Sequence, residues 1–248
     1  MDLIQFFSEN PKAAIAFSGG VDSAYLLYAA VQNGAWVKAY YVKSDFQPQF
    51  ELEDARALAG QLGVQMEILP LDILCNMTVR ENPPDRCYHC KKAIFQTILS
   101  TAQTDGFDLL LDGTNASDDV LDRPGMKALS ELSVRSPLRE CNLTKADVRR
   151  LSKEAGLFTH DKPAYACLAT RIPTGEPITA EKLRRTERAE NYLTDLGFRD
   201  FRVRSLGDTA KLQVTAADLQ RVMDLRENII EKLKQDYTNV LLDLEVRK

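Results

Sequence analysis

The sequence predicts an α/β protein in which a doubly wound parallel sheet is followed by a small C-terminal α/β domain. Apolar, strand-like runs alternate with helical patterns through the first part of the chain, as in a parallel sheet covered by helices on both faces. A loop-like stretch with three prolines, Asp161–Pro177, then precedes a shorter pattern of two helices and three strands. We therefore predict two domains, residues 1–173 and residues 174–248.

The first domain is predicted from short apolar runs and from amphipathic segments between them. Its strands are predicted at Ala13–Phe17, Trp36–Val42, Val64–Leu71 and Asp108–Leu111, with a fifth near Leu132–Arg135. Its helices are predicted at Ser23–Asn33, Leu52–Leu62, Cys90–Thr104 and Thr144–Ala155. The last helix starts with a pattern resembling a capping box, in which Asp147 replaces the usual glutamate, and Gly156 ends it.

The second domain is predicted to begin with a helix and to contain a β-hairpin. The predicted order is helix Thr179–Leu196, strands Phe198–Arg204 and Ala210–Val214, helix Ala216–Gln235 and strand Asn239–Val246. Gly207 and Asp208 lie near the predicted hairpin turn.

The composition is that of a soluble globular protein, with 44% hydrophobic and 27% charged residues in 248. No apolar run approaches the length of a membrane span and the N-terminus has no signal-peptide pattern, so we expect a cytoplasmic protein with no membrane partner. The five cysteines are then expected to be thiols, metal ligands or reactive groups rather than disulfides. A net charge of −4 without a basic domain argues against nucleic-acid binding.

The motif Ser-Gly-Gly-Val-Asp-Ser at residues 18–23 joins the first predicted strand to the first predicted helix. Glycines let a backbone approach a ligand closely, and the amides at a helix N-terminus favour a polyphosphate. We predict that ATP binds here, through Ser18, Gly19, Gly20, Asp22 and Ser23, and that Asp22 also holds Mg²⁺.

A second polar loop, Asp112–Asp118, follows the fourth predicted strand. In a doubly wound sheet, this loop lies beside the first one at the carboxyl edge of the strands. Gly113 and Thr114 are therefore predicted to contact the nucleotide, although an ordinary turn explains the same residues.

Three cysteines have a sequence context that suggests chemistry. Cys87 and Cys90 form a C-x-x-C pair, which is only half of a zinc site. Cys167 lies between Lys162 and Arg171, two cations that would lower the pKa of its thiol if the three converge. A buried, inert cysteine is the alternative for Cys167.

The C-terminal domain carries arginines around one predicted strand. Arg202 and Arg204 project to the same face, because side-chain direction repeats every second residue. Such a pair suits a phosphate group, and solvated surface charge is the alternative.

These motifs together resemble the LarE family of ATP-dependent sulfur transferases, within the N-type ATP pyrophosphatases (PP-loop superfamily). The segments that carry the resemblance are Ala16–Ser23, Asn82–Lys91, Leu111–Asn115, Asp122–Gly125, Ser136–Leu138 and Lys162–Gly175. The first is shared with several synthetases and tRNA thiolases, and the last is more diagnostic. The resemblance implies an adenine nucleotide alpha-hydrolase-like, Rossmann-like fold.

The resemblance also implies a reaction. A carboxylate of a pyridinium mononucleotide is adenylylated by ATP, and sulfur replaces the AMP to give a thiocarboxylate, in the biosynthesis of the nickel-pincer nucleotide cofactor. In sacrificial members the cysteine matching Cys167 supplies the sulfur and becomes dehydroalanine. Arg202 and Arg204 match an Arg-x-Arg that binds the substrate phosphate, and we expect Arg171 to join them.

The resemblance leaves two sulfur sources open. Cys87, Cys90 and Cys167 could instead hold a [4Fe-4S] cluster with one open iron, as in cluster-containing relatives. An iron–sulfur-dependent tRNA thiolase and an ATP-binding nucleotide sensor are the alternative functions. We also expect a homo-oligomer, whose number of copies the sequence does not fix.

Overall fold

The computed structural model of the protein describes residues 1–118 and 124–247, of which Pro124 is described by its backbone alone. This part of the chain forms two compact units. The N-terminal unit comprises Met1–Ile73 and Asp85–Ala164, and the C-terminal unit comprises Leu74–Pro84 and Tyr165–Lys248.

The division differs from the boundary predicted between residues 173 and 174. Asn82 explains part of the difference, because its buried side-chain amide donates to the carbonyl oxygens of Pro173 at 2.7 Å and Glu176 at 3.1 Å. The amide of Gly175 donates in turn to the carbonyl oxygen of Asn82 at 2.8 Å. Residues 74–84 are thereby attached to the C-terminal unit.

The strands are numbered in chain order. They are β1 (Lys12–Ala16), β2 (Trp36–Lys43), β3 (Met66–Pro70), β4 (Leu110–Leu111), β5 (Phe201–Leu206), β6 (Thr209–Val214) and β7 (Asn239–Leu242). The first four form a parallel sheet in the order β3-β2-β1-β4, and the last three form the sheet of the C-terminal unit.

The helices are also numbered in chain order. They are α1 (Leu3–Glu9), α2 (Val21–Gln32), α3 (Gln49–Gln61), α4 (Met77–Glu81), α5 (Arg86–Thr104), α6 (Pro124–Glu131), α7 (Pro137–Glu140), α8 (Lys145–Glu154), α9 (Ala180–Asp195), α10 (Leu219–Asp224) and α11 (Arg226–Leu233). Short 3₁₀ helices lie at Ile73–Cys75, Phe158–Asp161, Leu168–Arg171 and Ala216–Asp218.

The parallel sheet is covered on both faces, which confirms the predicted fold class. Alternate residues of β1 enter different apolar clusters, since side chains of a strand point to opposite faces. Ile15 packs in the cluster that contains Leu26 of α2, whereas Ala14 packs in the cluster that contains Phe95 of α5. Because both faces are buried, the strands read as nearly continuous apolar runs.

Several predicted elements are shorter than expected, including β4 and β7, which are predicted at Asp108–Leu111 and Asn239–Val246. In place of the fifth strand predicted near Leu132–Arg135, the structure has one parallel bridge, which pairs Arg135 with Leu111. The extended segment is short because Ser133 before it has a positive φ and α7 begins after it at Pro137. The predicted helix Ala216–Gln235 is a 3₁₀ turn followed by α10 and α11. The sequence patterns also missed α1, α4, α6 and α7.

In the C-terminal unit, β5 pairs antiparallel with β6, which pairs parallel with β7. The inner face of this sheet, including Val203 and Leu212, packs in one apolar cluster with Ala189 and Leu193 of α9. The opposite face carries Arg202 and Arg204. The antiparallel pairing of β5 with β6 confirms the predicted hairpin, and Gly207 at its turn has φ +54°.

Within the part of the chain that the structure describes, no helix combines the length and the apolar character that a membrane span requires.

Candidate functional site

The loop at residues 18–23 runs from the end of β1 into the first turn of α2. Gly19 has φ +72°, which favours glycine, and a Cβ there would be crowded, at 3.1 Å from the carbonyl oxygen of Glu51 in α3. The hydroxyls of Ser18 and Ser23 lie 3.1 Å apart, and that of Ser23 donates to the Gly20 carbonyl oxygen at 3.2 Å. The serines thus hold the loop shape, while the first amides of α2 have no acceptor within the helix.

The loop after β4 packs directly against this turn. A Cβ on Gly113 would lie 2.7 Å from the Ser23 nitrogen and 3.0 Å from its Cα, which leaves no space for a side chain. Asp112 fixes the neighbouring residues, since its carboxylate accepts hydrogen bonds from the hydroxyls of Thr114 at 2.5 Å and Ser136 at 2.6 Å. The structure therefore brings together the two loops that the sequence paired.

Asp22 is held by two residues that the sequence patterns did not single out. Its Oδ1 accepts a hydrogen bond from the Asn115 side-chain amide at 3.2 Å, and its Oδ2 forms an ion pair with the ammonium of Lys145. Lys145 is the first residue of α8, and its main-chain amide donates to the Ser117 hydroxyl at 2.9 Å. These contacts join α2, the loop after β4 and α8 around one carboxylate.

A cavity of about 310 Å³ opens at this edge of the sheet. Both loops line it, together with β2 and α5; among its lining residues are Ser18, Gly20, Asp22, Ser23, Gly113 and Thr114. Tyr40, Val42, Ile94 and Phe95 give it apolar walls. A site with apolar walls and a few convergent polar groups is typical of a small-molecule or cofactor pocket.

In the C-terminal unit, Cys167 immediately precedes the 3₁₀ helix Leu168–Arg171 and is partly exposed. Its carbonyl oxygen accepts from the Thr170 hydroxyl at 2.8 Å. The carbonyl oxygen of Thr170 accepts in turn from the guanidinium of Arg204 on β5. The segment that carries Cys167 is therefore attached to the strand that carries the predicted phosphate ligands.

Arg171 is the most buried of the predicted phosphate ligands, at 1% exposure. Its Nε and one terminal nitrogen donate to the Glu190 carboxylate at 2.7 and 3.1 Å, and its other terminal nitrogen donates to the Ala166 carbonyl oxygen at 3.0 Å. Burial lowers the pKa of Arg171, but Glu190, with smaller effects of Tyr165 and Cys167, raises it overall. These contacts attach Arg171 to the segment that carries Cys167, and its role as a phosphate ligand stays a prediction.

Arg202 and Arg204 lie near two further arginines, whose charge is offset only in part by Glu190, Asp200 and Asp243. The guanidinium of Arg202 lies 5.3 Å from the centre of the Tyr165 ring. Burial, together with the charges of Arg171 and Arg247, lowers the pKa of Arg202 to about 10 and also lowers that of Arg204. A cation whose pKa is lowered by burial and like charges is stabilised by a bound anion, so these arginines suit a phosphate.

Cys87 and Cys90 lie one turn apart near the start of α5 and share a helix face. Cys87 is exposed and lies 4.0 Å from a terminal nitrogen of Arg86. Among the residues that the structure describes, no three His, Cys, Asp or Glu side chains are grouped as a metal site. Ligation of a [4Fe-4S] cluster by Cys87, Cys90 and Cys167 stays a prediction.

Two residues of the segment Asp122–Gly125, Asp122 and Arg123, lie outside the described residues.

Comparisons with known proteins agree with this geometry. A family model described as "Queuosine biosynthesis protein QueC" matches residues 12–82, which include the loop at residues 18–23. An uncharacterized protein of Synechocystis is 39% identical over 254 residues, covering 98% of this chain and 92% of that protein. The pyridinium-3,5-bisthiocarboxylic acid mononucleotide synthase of Lactiplantibacillus plantarum is 32% identical over 245 residues, covering 98% of this chain and 89% of the synthase.

A third relative matches less of the chain. The tRNA-specific 2-thiouridylase MnmA of Thermotoga petrophila is 26% identical over 193 residues, covering 61% of this chain and 54% of the thiouridylase. By contrast, the similarity to the mononucleotide synthase covers 98% of this chain and therefore includes both units.

Proposed function

The chain belongs to the LarE family of ATP-dependent sulfur transferases in the PP-loop superfamily, and we propose that its substrate is a pyridinium mononucleotide carboxylate. The product is the corresponding thiocarboxylate, and the reaction is a sulfur-insertion step in nickel-pincer nucleotide cofactor biosynthesis. The observation that carries this proposal is the similarity to the mononucleotide synthase over 98% of the chain, which includes both units.

The ATP-dependent half of the reaction belongs to the N-terminal unit. A carboxylate oxygen of the substrate attacks the α-phosphorus of ATP, the bond to the β,γ-phosphates breaks, and pyrophosphate leaves. The amides at the start of α2 and the hydroxyls of Ser18 and Ser23 would bind the phosphates. Gly113 keeps the two loops close enough to enclose them.

Asp22 would also hold Mg²⁺, because a carboxylate oxygen at a phosphate site is the ligand that this ion prefers. Asp22 lines the cavity, and one carboxylate together with substrate phosphates is a usual ligand set of Mg²⁺, so this residue fits the ion. When bound, Mg²⁺ neutralises charge on the leaving pyrophosphate.

The sulfur-transfer half belongs to the C-terminal unit, where Arg202 and Arg204 would bind the mononucleotide phosphate. The Cys167 thiolate attacks the acyl carbon of the adenylate and AMP leaves, which gives a thioester. Removal of the Cα proton of Cys167 then breaks its Cβ–Sγ bond, so the sulfur stays on the substrate and dehydroalanine remains in the chain. No step here uses a [4Fe-4S] cluster.

The sulfur source is decided by comparing two cysteine variants after anaerobic purification and reconstitution. Under the Cys167 route, C87A retains one round of sulfur transfer and C167A has none. If a cluster held by Cys87, Cys90 and Cys167 is the source, the wild-type protein is brown, contains iron and sulfide and turns over repeatedly with added sulfide. In that case C87A loses the colour and the repeated turnover.

The expected homo-oligomer and cytoplasmic location are also proposals, supported by family membership alone. Sedimentation equilibrium of the purified protein measures the number of copies. A monomer at every concentration would contradict the homo-oligomer. Recovery of the native protein from the membrane fraction would contradict the cytoplasmic location.

The proposed activity is tested by pyrophosphate release. Release should require ATP and a pyridinium carboxylate mononucleotide together, and the same mononucleotide with its carboxylate amidated should not support it. Equal release without the mononucleotide would identify an ATP pyrophosphatase instead, and ATP binding without any release would favour a nucleotide sensor.

A further inference from the structure

The cavity at the carboxyl edge of the parallel sheet is lined by more acidic than basic side chains. Without further cations, this charge would repel a polyphosphate. Among the described residues that line it, Asp22, Asp112 and Asp118 are acidic and Lys91 is basic. ATP would bring further negative charge into the same space. Cations in addition to Lys91 would therefore favour the binding of ATP, and Mg²⁺ is one of them.

Lys145 is a cation at the right place that lies just outside this lining. Its ammonium forms an ion pair with Oδ2 of Asp22, and the side chains of the two residues are 36% and 23% exposed. The other carboxylate oxygen of Asp22 accepts the Asn115 amide. The carboxylate predicted to hold magnesium is thus already neutralised by a lysine from α8.

We propose that Lys145 is a phosphate-positioning residue whose ammonium occupies Asp22 in the nucleotide-free protein and transfers to the ATP phosphates when Asp22 takes the divalent cation. The inference rests on the proposed ATP site, since it assigns the phosphates to the loop that contains Asp22. It adds Lys145, from outside the recognised motifs, to the residues that handle ATP.

The exchange needs movement of one side chain only. The main chain at Lys145 is fixed, because its amide donates to Ser117 and the capping box of Thr144 and Asp147 holds the first turn of α8. The side chain has a flexible four-carbon stem and three equivalent donors, so it can change acceptor without moving the helix. Its ammonium contacts Asp22, next to the amides at the start of α2, where the phosphates are predicted.

Charge drives the exchange. A divalent cation and an ammonium on the same carboxylate repel each other, and the divalent ion binds the carboxylate more strongly. The phosphates offer the displaced ammonium a charge-assisted hydrogen bond, which is among the stronger polar interactions in proteins. Without nucleotide, the ammonium protects Asp22 from metal, so the cation and ATP enter together.

The experiment compares K145M, which keeps the length of the side chain and removes its charge, with K153M. Lys153 is exposed in the last turn of the same helix and provides the matched control. Binding of Mn²⁺ without nucleotide is measured by electron paramagnetic resonance, and binding of Mg·ATP by calorimetry. Neither measurement depends on sulfur transfer, so a protein that binds Mg·ATP but makes no thiocarboxylate would refute the proposed function alone.

We expect K145M to bind Mn²⁺ several-fold more tightly than the wild-type protein and to bind Mg·ATP about ten-fold more weakly, the equivalent of one charge-assisted hydrogen bond. K153M should match the wild-type protein in both. The increase in Mn²⁺ affinity should disappear in the double variant D22N/K145M. Unchanged or weaker Mn²⁺ binding by K145M, or unchanged Mg·ATP binding, would overturn the proposal.

Discussion

At the residue scale, the proposed ATP site centres on the carboxylate of Asp22, which has several partners. Asp22 lies in the first turn of α2 and lines the cavity; its carboxylate accepts the Asn115 amide and pairs with Lys145. Removing one member of such a network leaves the others without their acceptor or charge, so the effects of single substitutions here should not add.

Replacing Asp22 by asparagine keeps the shape of the side chain and removes its charge. We expect D22N to lose at least about ten-fold in the rate of pyrophosphate release, because the proposed Mg²⁺ site loses its anionic ligand. A stopped assay with saturating Mg·ATP measures this, and far-UV circular dichroism checks the fold. D195N, at an exposed position in the other unit, is the control. Wild-type release by a folded D22N protein would exclude Asp22 from the reaction.

Replacing Arg202 should change stability and substrate affinity in opposite directions. Burial and the neighbouring arginines lower the pKa of Arg202, which means that its charge disfavours the folded state without a bound anion. We expect R202M to raise the free energy of unfolding by about 1 kcal/mol, since an apolar side chain avoids the cost of burying a charge. The same variant should lose affinity for the mononucleotide.

Urea unfolding and calorimetric titration with the mononucleotide measure the two effects. The exposed arginine variant R226M should leave both unchanged. A less stable R202M protein, or one with wild-type mononucleotide affinity, would contradict this account of the arginine pair.

At the element scale, the site depends on how closely the loop after β4 approaches the start of α2. A glycine at position 113 permits this approach, and a capping box orients α8 so that Lys145 reaches Asp22. Both features are local in sequence, but their effect is to join three segments that are far apart in the chain.

A methyl group at position 113 would collide with the backbone of Ser23 at 2.7 Å, so the two loops must separate. We expect G113A to weaken ATP binding by about ten-fold or more, as positioning errors at reacting groups do. G60A is the matched control, because a Cβ there meets nothing within 4 Å and alanine favours the helix interior. Unchanged ATP affinity in G113A would show that the contact between the loops is not required.

Thr144 caps α8, since its hydroxyl accepts the Asp147 amide at 3.2 Å. T144A should lower the free energy of unfolding by about 1 kcal/mol, which is the usual cost of a lost helix cap. Denaturant unfolding measures this loss. T104A, which removes an exposed hydroxyl at the end of α5, should cost clearly less. Equal losses in the two variants would contradict a capping role.

At the scale of the whole molecule, the features that the sequence predicts are those determined by short sequence motifs or by the order of the strands. The strand–glycine loop–helix motif at residues 18–23 and the glycine at position 113 placed the two loops together, and the structure has them in contact. The sequence also predicts the capping box of α8, because its two partners, Thr144 and Asp147, are only three residues apart. In each case the deciding interaction lies within a few residues or follows from sheet topology.

The remaining features depend on contacts between distant residues. Lys145 and Asp22 are 123 positions apart, and nothing in either segment identifies the other as a partner. The ion pair of Arg171 with Glu190 cannot be inferred from the sequence either, because no local pattern links the two residues. The role of Arg171 as a phosphate ligand stays a prediction. The break between α10 and α11 falls where no glycine or proline marks it.

The central claim is that this protein exchanges a carboxylate oxygen of a pyridinium mononucleotide for sulfur at the expense of ATP. The most direct measurement is mass spectrometry of both small molecules and protein after one incubation with ATP, Mg²⁺ and the mononucleotide. The account predicts a product in which one oxygen is replaced by sulfur, together with AMP, pyrophosphate and loss of the elements of hydrogen sulfide at Cys167. Formation of AMP and pyrophosphate with no sulfur-containing mononucleotide, and with Cys167 intact, would contradict it.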